Sequence, residues 1–87
     1  GPTAADVAAA GAMKPSEQRA MAEGMVEQLE TRLTKEPKNV DGWVMLMRSR
    51  ITLGEPAKAR AALEAAVKAN PAQAAQLRAQ AQSLGIN

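Results

Sequence analysis

Cysteine and histidine are both missing from the 87-residue chain. Their absence excludes disulfides, thiolate nucleophiles, Cys/His zinc sites and imidazole acid–base chemistry. Phenylalanine and tyrosine are missing too, so Trp43 is the sole aromatic side chain. A chain with one aromatic and no dense Lys/Arg run offers nucleic acid neither a stacking platform nor a phosphate track. No apolar run approaches the roughly 20 residues of a membrane span, and no signal peptide is visible. β-branched residues are too scattered for a sheet. The lack of cysteine does not name a compartment, because it fits cytosol and periplasm equally.

What remains is a small, alanine-rich chain. Hydrophobic residues make up 46%, but much of that is alanine, which buries little area. Leu, Ile, Val, Met and Trp must supply the core. At roughly 25 cal/mol per Å² such a core leaves little net stability, so help from a neighbouring domain, a partner or self-association is expected. The net charge of +2 is uneven. Residues 15–36 hold five acids against three bases, and residues 37–87 hold three against seven. The plainer reading is ordinary solvated helix faces, and the sharper one is a mildly basic surface for an acidic partner.

Punctuation along the chain predicts an all-α fold of about four helices plus a short N-terminal arm. Residues 1–14 read as a linker or helical arm, with Thr3 and Asp6 at capping-box-like spacing. Pro15 opens a helix over 15–35, with Glu17 in its first turn and Met21, Met25, Val26, Leu29 and Leu33 at helical spacing. Pro37 stops it. Asn39 is a good N-cap for a second helix over 40–53, which Gly54 closes. Pro56 starts the third, with Ala59, Ala62, Leu63, Ala66 and Val67 inward, up to Asn70-Pro71. A last helix spans 72–84, with Leu77, Ala81 and Leu84 inward and Gly85 after it. Short connections make neighbouring helices antiparallel.

Pro37 and Pro71 lie 34 residues apart, and the stretch between them (about 38–71) resembles a tetratricopeptide repeat. Trp43 sits at the tryptophan position, with Leu46 three residues on. Gly54 falls at the turn, and Ala59, Leu63, Ala66 and Pro71 take the small, large, small and terminal positions. Ala59 and Ala66 let two helix axes come close while Trp43 and Leu63 fill the space between, so Trp43 is expected in the core. Met47 stands where a small residue is usual and is expected to wedge or fill the helix gap. Arg50 stands where tyrosine is usual and is expected to snorkel to water. Helix 15–35 resembles the second helix of a preceding unit, and helix 72–84 the first of a following one. The fold implied for 15–87 is one of antiparallel helix pairs of this repeat type.

A narrower likeness runs from Gly1 to Gly85. The stretches GPTAADVAAAGAMKPSEQRAM, GMVEQLETRL and GWVMLMRSRITLGEPAKA resemble the periplasmic C-terminal region of the apocytochrome c chaperones of cytochrome c maturation (the Ccm, CycH-like family). That resemblance implies a non-enzymatic binding domain without cofactor or metal. It implies that apocytochrome c, chiefly its C-terminal helix, is held and passed to the haem-ligation complex in the periplasm. It also implies a parent protein anchored in the bacterial inner membrane by an N-terminal part not seen in this chain.

Repeats of this class bind ligands on the face lined by the first helix of each unit. Carried over, that geometry points to Asp41, Val44, Arg48, Ile51 and Thr52 on the second helix and to Arg78 and Gln82 on the last. Asp41, Val44, Arg48 and Ile51 run down one helix face at spacings of three and four. Val44 and Ile51 would take apolar anchors of an amphipathic helix, and Arg48 a carboxylate. The plainer reading of Arg48 and Arg50 is solvated surface. Met21, Met25, Met45 and Met47 suggest a methionine-lined adaptable groove, although methionine at helical spacing is usually core, and Met45 is the one expected outside. A competing reading is a generic scaffold or self-association module, a homo-oligomer or a groove filled by the chain's own arm. No Ser has a base beside it in a recognisable motif, and Glu23, Glu27 and Glu30 read as a solvated face, so catalysis is not expected.

Overall fold

The computed structural model describes residues 13–87. The arm expected over 1–14 lies, up to residue 12, outside the described residues. Helix α1 runs Pro15–Lys35, α2 Val40–Thr52 and α3 Pro56–Ala69. A 3₁₀ turn, Pro71–Gln73, leads into α4, Ala74–Ser83. The last helix therefore begins two residues later than its expected start at 72. The chain turns first as a 3₁₀ piece behind Pro71, where Gln73 N–H donates to the Asn70 carbonyl at 3.0 Å.

Local chemistry sets each boundary. Pro15 and Pro56 open their helices at a position that needs no N–H. Asn39 caps α2: its Oδ1 accepts from Gly42 N–H at 3.0 Å, a bond worth about 1 kcal/mol. The C-terminus of α2 is a Schellman turn. Gly54, at φ +74°, donates to the Ile51 carbonyl at 2.9 Å, and Glu55 N–H donates to Arg50 at 2.8 Å. The same device closes α4, with Gly85 at φ +82° and Ile86 N–H donating to Ala81 at 2.9 Å. It turns Ile86 back into the core, where it is buried.

The core lies between α2 and α3. Leu33, Leu46, Met47 and Leu77 are its largest fully buried side chains, with Ala59, Ala62, Ala66 and Ala81 as the small residues that bring helices together. Trp43 is buried as expected, and its indole N–H donates to the Pro37 carbonyl at 2.8 Å. Asn70, also buried, donates to that same carbonyl at 2.7 Å and to Ala66 at 3.1 Å. Lys38 Nζ reaches the Ala69 carbonyl at 2.7 Å. The entrance to α2 is thereby pinned to the exit of α3. The last turn of α1 comes in over Gly42: a Cβ there would stand 2.7 Å from Leu33 Cδ2, so any larger residue would have to displace the Leu33 and Asn39 side chains.

Of the two roles expected for Met47 the structure shows the second, and two other expectations change. Met47 fills space and is fully buried. Arg50 does not snorkel: it is only 3% exposed. Its Nη1 donates to Glu55 at 3.1 Å and its Nη2 lies 3.5 Å from Glu30 on α1. Carboxylates from two directions hold the guanidinium under the helices, so its stem is not needed to reach water. Met21 and Met25, counted inward by periodicity, are 46% and 63% exposed. Only Val26 and Leu33 of α1 are buried, because the helix meets α2 on a narrower stripe than its apolar pattern covers.

Candidate peptide-binding surface

Residues spaced three and four along α2 share a face, and that face looks toward α4. Asp41, Val44 and Arg48 form one wall of a depression of about 240 Å³. Gln76 and Gln80 of α4 form the other wall, over Leu77. Val44 is half-buried and packs on the core, while Asp41 and Arg48 are exposed. Among the described residues Arg48 has no carboxylate partner, so its guanidinium is free to meet one from outside. Ile51 lies farther along the same helix face, half-buried against the core, and does not line the depression.

Arg78 and Gln82 are not part of this wall. They line a separate shallow area with Leu63 and Ile86, and Arg78 is paired with Glu64 of α3 at 3.1 Å. The reason is translational. A residue 34 positions after Val44 or Arg48 stands on α4 as those residues stand on α2, and so looks onward, away from α2. The side of α4 that looks back carries Gln76 and Gln80, which the repeat offset misses. Reading the helix wheel from buried Leu77 and Ala81, instead of copying positions across the repeat, would have found them.

On its other side α2 borders a second, more apolar trough of about 390 Å³. Met25 and Leu29 of α1 face Met45 and Thr52 of α2 across it, with Arg32 and Arg48 as its charged groups. Met45 is 57% exposed, as expected, and lines both troughs.

The turn after α2 carries the surface's other electrostatic feature. Lys58 Nζ lies 3.2 Å from Glu55, whose second oxygen meets Arg50. The Lys58 hydrogen bond, and then that of Arg50, hold the Glu55 carboxyl below its ordinary value against a contrary push from partial burial. Among the described residues no group of His, Cys, Asp or Glu could hold a metal ion, and no helix is long and apolar enough to cross a membrane. The arrangement offers apolar contact, amide hydrogen bonds and free guanidinium charge, which are the means of holding a polypeptide.

A tetratricopeptide repeat profile matches residues 18–82. The chain is 40% identical over 84 residues to the cytochrome c-type biogenesis protein CycH of Rhizobium meliloti (strain 1021), covering 93% of this chain and 22% of that protein. It is also 40% identical over 53 residues to the CycH protein of Bradyrhizobium diazoefficiens, covering 61% of this chain and 14% of that protein. The chain thus spans about a fifth or less of the length of these curated relatives. No solved structure matches it.

Proposed function

We propose, from a chain that belongs to the tetratricopeptide-repeat family, a protein-binding domain of a cytochrome c biogenesis factor. Its task is to hold apocytochrome c by the C-terminal helix and present it to the haem-ligation complex. The site is the trough between α2 and α4. Val44 supplies apolar contact, Arg48 takes a carboxylate of the bound helix, and Gln76 and Gln80 satisfy its polar edge. Asp41 at the trough's end selects against a second acid there. Ile51 extends the apolar strip. Arg78 and Gln82 sit on the onward side of α4 and would contact only a ligand long enough to wrap around it. The observation that carries the reading is the unpaired Arg48 beside half-buried Val44 in an open trough, on a chain akin to biogenesis proteins. No catalysis is proposed for this scaffold. The setting proposed is the periplasm, with the parent protein anchored in the inner membrane.

Titration calorimetry with peptides of the apocytochrome c C-terminal helix tests it. Saturable heat is expected, and Arg48→Glu should weaken an acidic helical ligand by at least about 1 kcal/mol without lowering the melting temperature. No heat from any such peptide, together with a concentration-dependent dimer in sedimentation, would overturn it in favour of a self-association module. The exposed methionines at 21, 25 and 45 are the surface such a module would use.

A further inference from the structure

Sliding the chain by its 34-residue interval lays α1 on α3. Leu29 then falls on Leu63, Glu30 on Glu64 and Pro37 on Pro71. Three buried positions refuse the match, Ala62 falling on exposed Gln28. Ala59 and Ala66, fully buried on the face α3 turns to the core, correspond to Met25 and Arg32, both exposed on α1. The turn at Gly54 corresponds to Ala20, which lies inside a helix. Where the full repeat folds back to form its first helix, α1 instead continues straight to Pro15. The seat that α2 occupies against α3 therefore has a counterpart beside α1, bordered also by α2, and no helix turns into it from residues 15–21.

That seat is the trough of Met25, Leu29, Met45 and Thr52. Among the described residues its only charged lining groups are Arg32 and Arg48, one on each wall, and neither has an ion-pair partner there. Among the described residues no carboxylate lines it. Methionine and arginine at positions 25 and 32, where α3 has alanine, hold an incoming helix farther off than a permanent repeat member would sit. The flexible thioethers of Met25 and, across the trough, Met45 suit an occupant that comes and goes.

We propose that this trough is a second docking site, and that it takes an amphipathic helix of a protein partner whose apolar stripe is flanked by carboxylates. The stripe lies on Met25, Leu29 and Met45, and the carboxylates meet Arg32 and Arg48 on opposite sides. The site goes beyond the trough of the previous subsection. It shares Arg48 and Met45 with that trough, but Met25, Leu29 and Arg32 do not line that trough, so readouts on those residues separate the two.

The test is NMR of the protein labelled with ¹³C in the methionine methyls, titrated with a synthetic peptide of about 14 residues. The peptide has a leucine stripe flanked by glutamates, and its twin carries lysines at the same places. The Met25 and Met45 methyl signals should move together and saturate, while the signal of buried Met47 stays. The lysine twin, and the glutamate peptide with Arg32→Glu or Met25→Glu protein, should each bind at least about tenfold more weakly. A still Met25 methyl, or equal binding of the two peptides, overturns the proposal. So does a Met25 signal that shifts without peptide when residues 1–12 are removed, since the chain's own segment would then hold the seat. A Met25 signal that shifts with protein concentration alone overturns it in favour of a second copy.

Discussion

The α2–α3 pair and the α1–α2 junction join helices by opposite means. In the first, alanines at 59, 62 and 66 bring the axes together, and Trp43, Leu46, Met47 and Leu63 fill what is left. In the second, α1 buries only Val26 and Leu33 fully and Leu29 in part, and polar contacts add to them. Arg50 reaches Glu30, and Arg19 Nη2 donates to the Leu53 carbonyl at 2.6 Å. One junction rests on exclusion of water, the other also on a few bonds that water can replace. The second should open first, and the trough it borders should be the more adaptable surface.

The largest expected effect is on the tight pair. Trp43→Ala removes the sole aromatic and a donor to the Pro37 carbonyl, and should cost roughly 3–5 kcal/mol in a urea melt. A normal melt would mean that the indole does not organise this pair. Next comes a substitution that makes α3 resemble α1. Ala59→Met should cost about 1–3 kcal/mol, because no space exists for the added atoms.

The polar clasp is probed by acid. The Glu55 carboxyl sits below its ordinary value of 4.5, so the stability it contributes is fully present above that value and is lost as pH falls through its lowered folded-state value. Glu55→Gln should therefore be less stable than the native chain at neutral pH and equal to it once both are well into acid. A gap that persists at about pH 2 would assign the effect to packing. The smallest effect completes the reciprocal swap. Met25→Ala, at an exposed site, should change stability by no more than about 0.5 kcal/mol. A large loss there would show that α1 is packed as α3 is, and would erase the contrast.

Helix boundaries were legible because they rest on local chemistry. Pro15, Asn39, Gly54 and Pro56 act through their own dihedrals and hydrogen bonds, whatever stands opposite. Trp43, Leu46, Ala59 and Ala66 were legible because the repeat spacing states their partners as well as their size. Arg50 was not, since its burial depends on Glu30 arriving from twenty residues earlier and on Glu55 from beyond the turn. Met21 and Met25 follow a helical period faithfully, but period reports which residues share a face and not whether another helix covers it. The α4 wall was misplaced for a related reason. Repeat spacing maps a residue to its copy, whereas a groove is made by the facing sides of two different copies.

The carbonyl of Pro37 accepts from both Trp43 and Asn70, on opposite ends of the α2–α3 unit. An acceptor supplied by the main chain survives any substitution at its own position, so mutational drift can erode this clip only by deleting a donor. The clip also closes the unit into something like a ring. Tension applied along the chain at residues 37 and 70 would load two short bonds side by side before it reached either helix, and the ends should give way together.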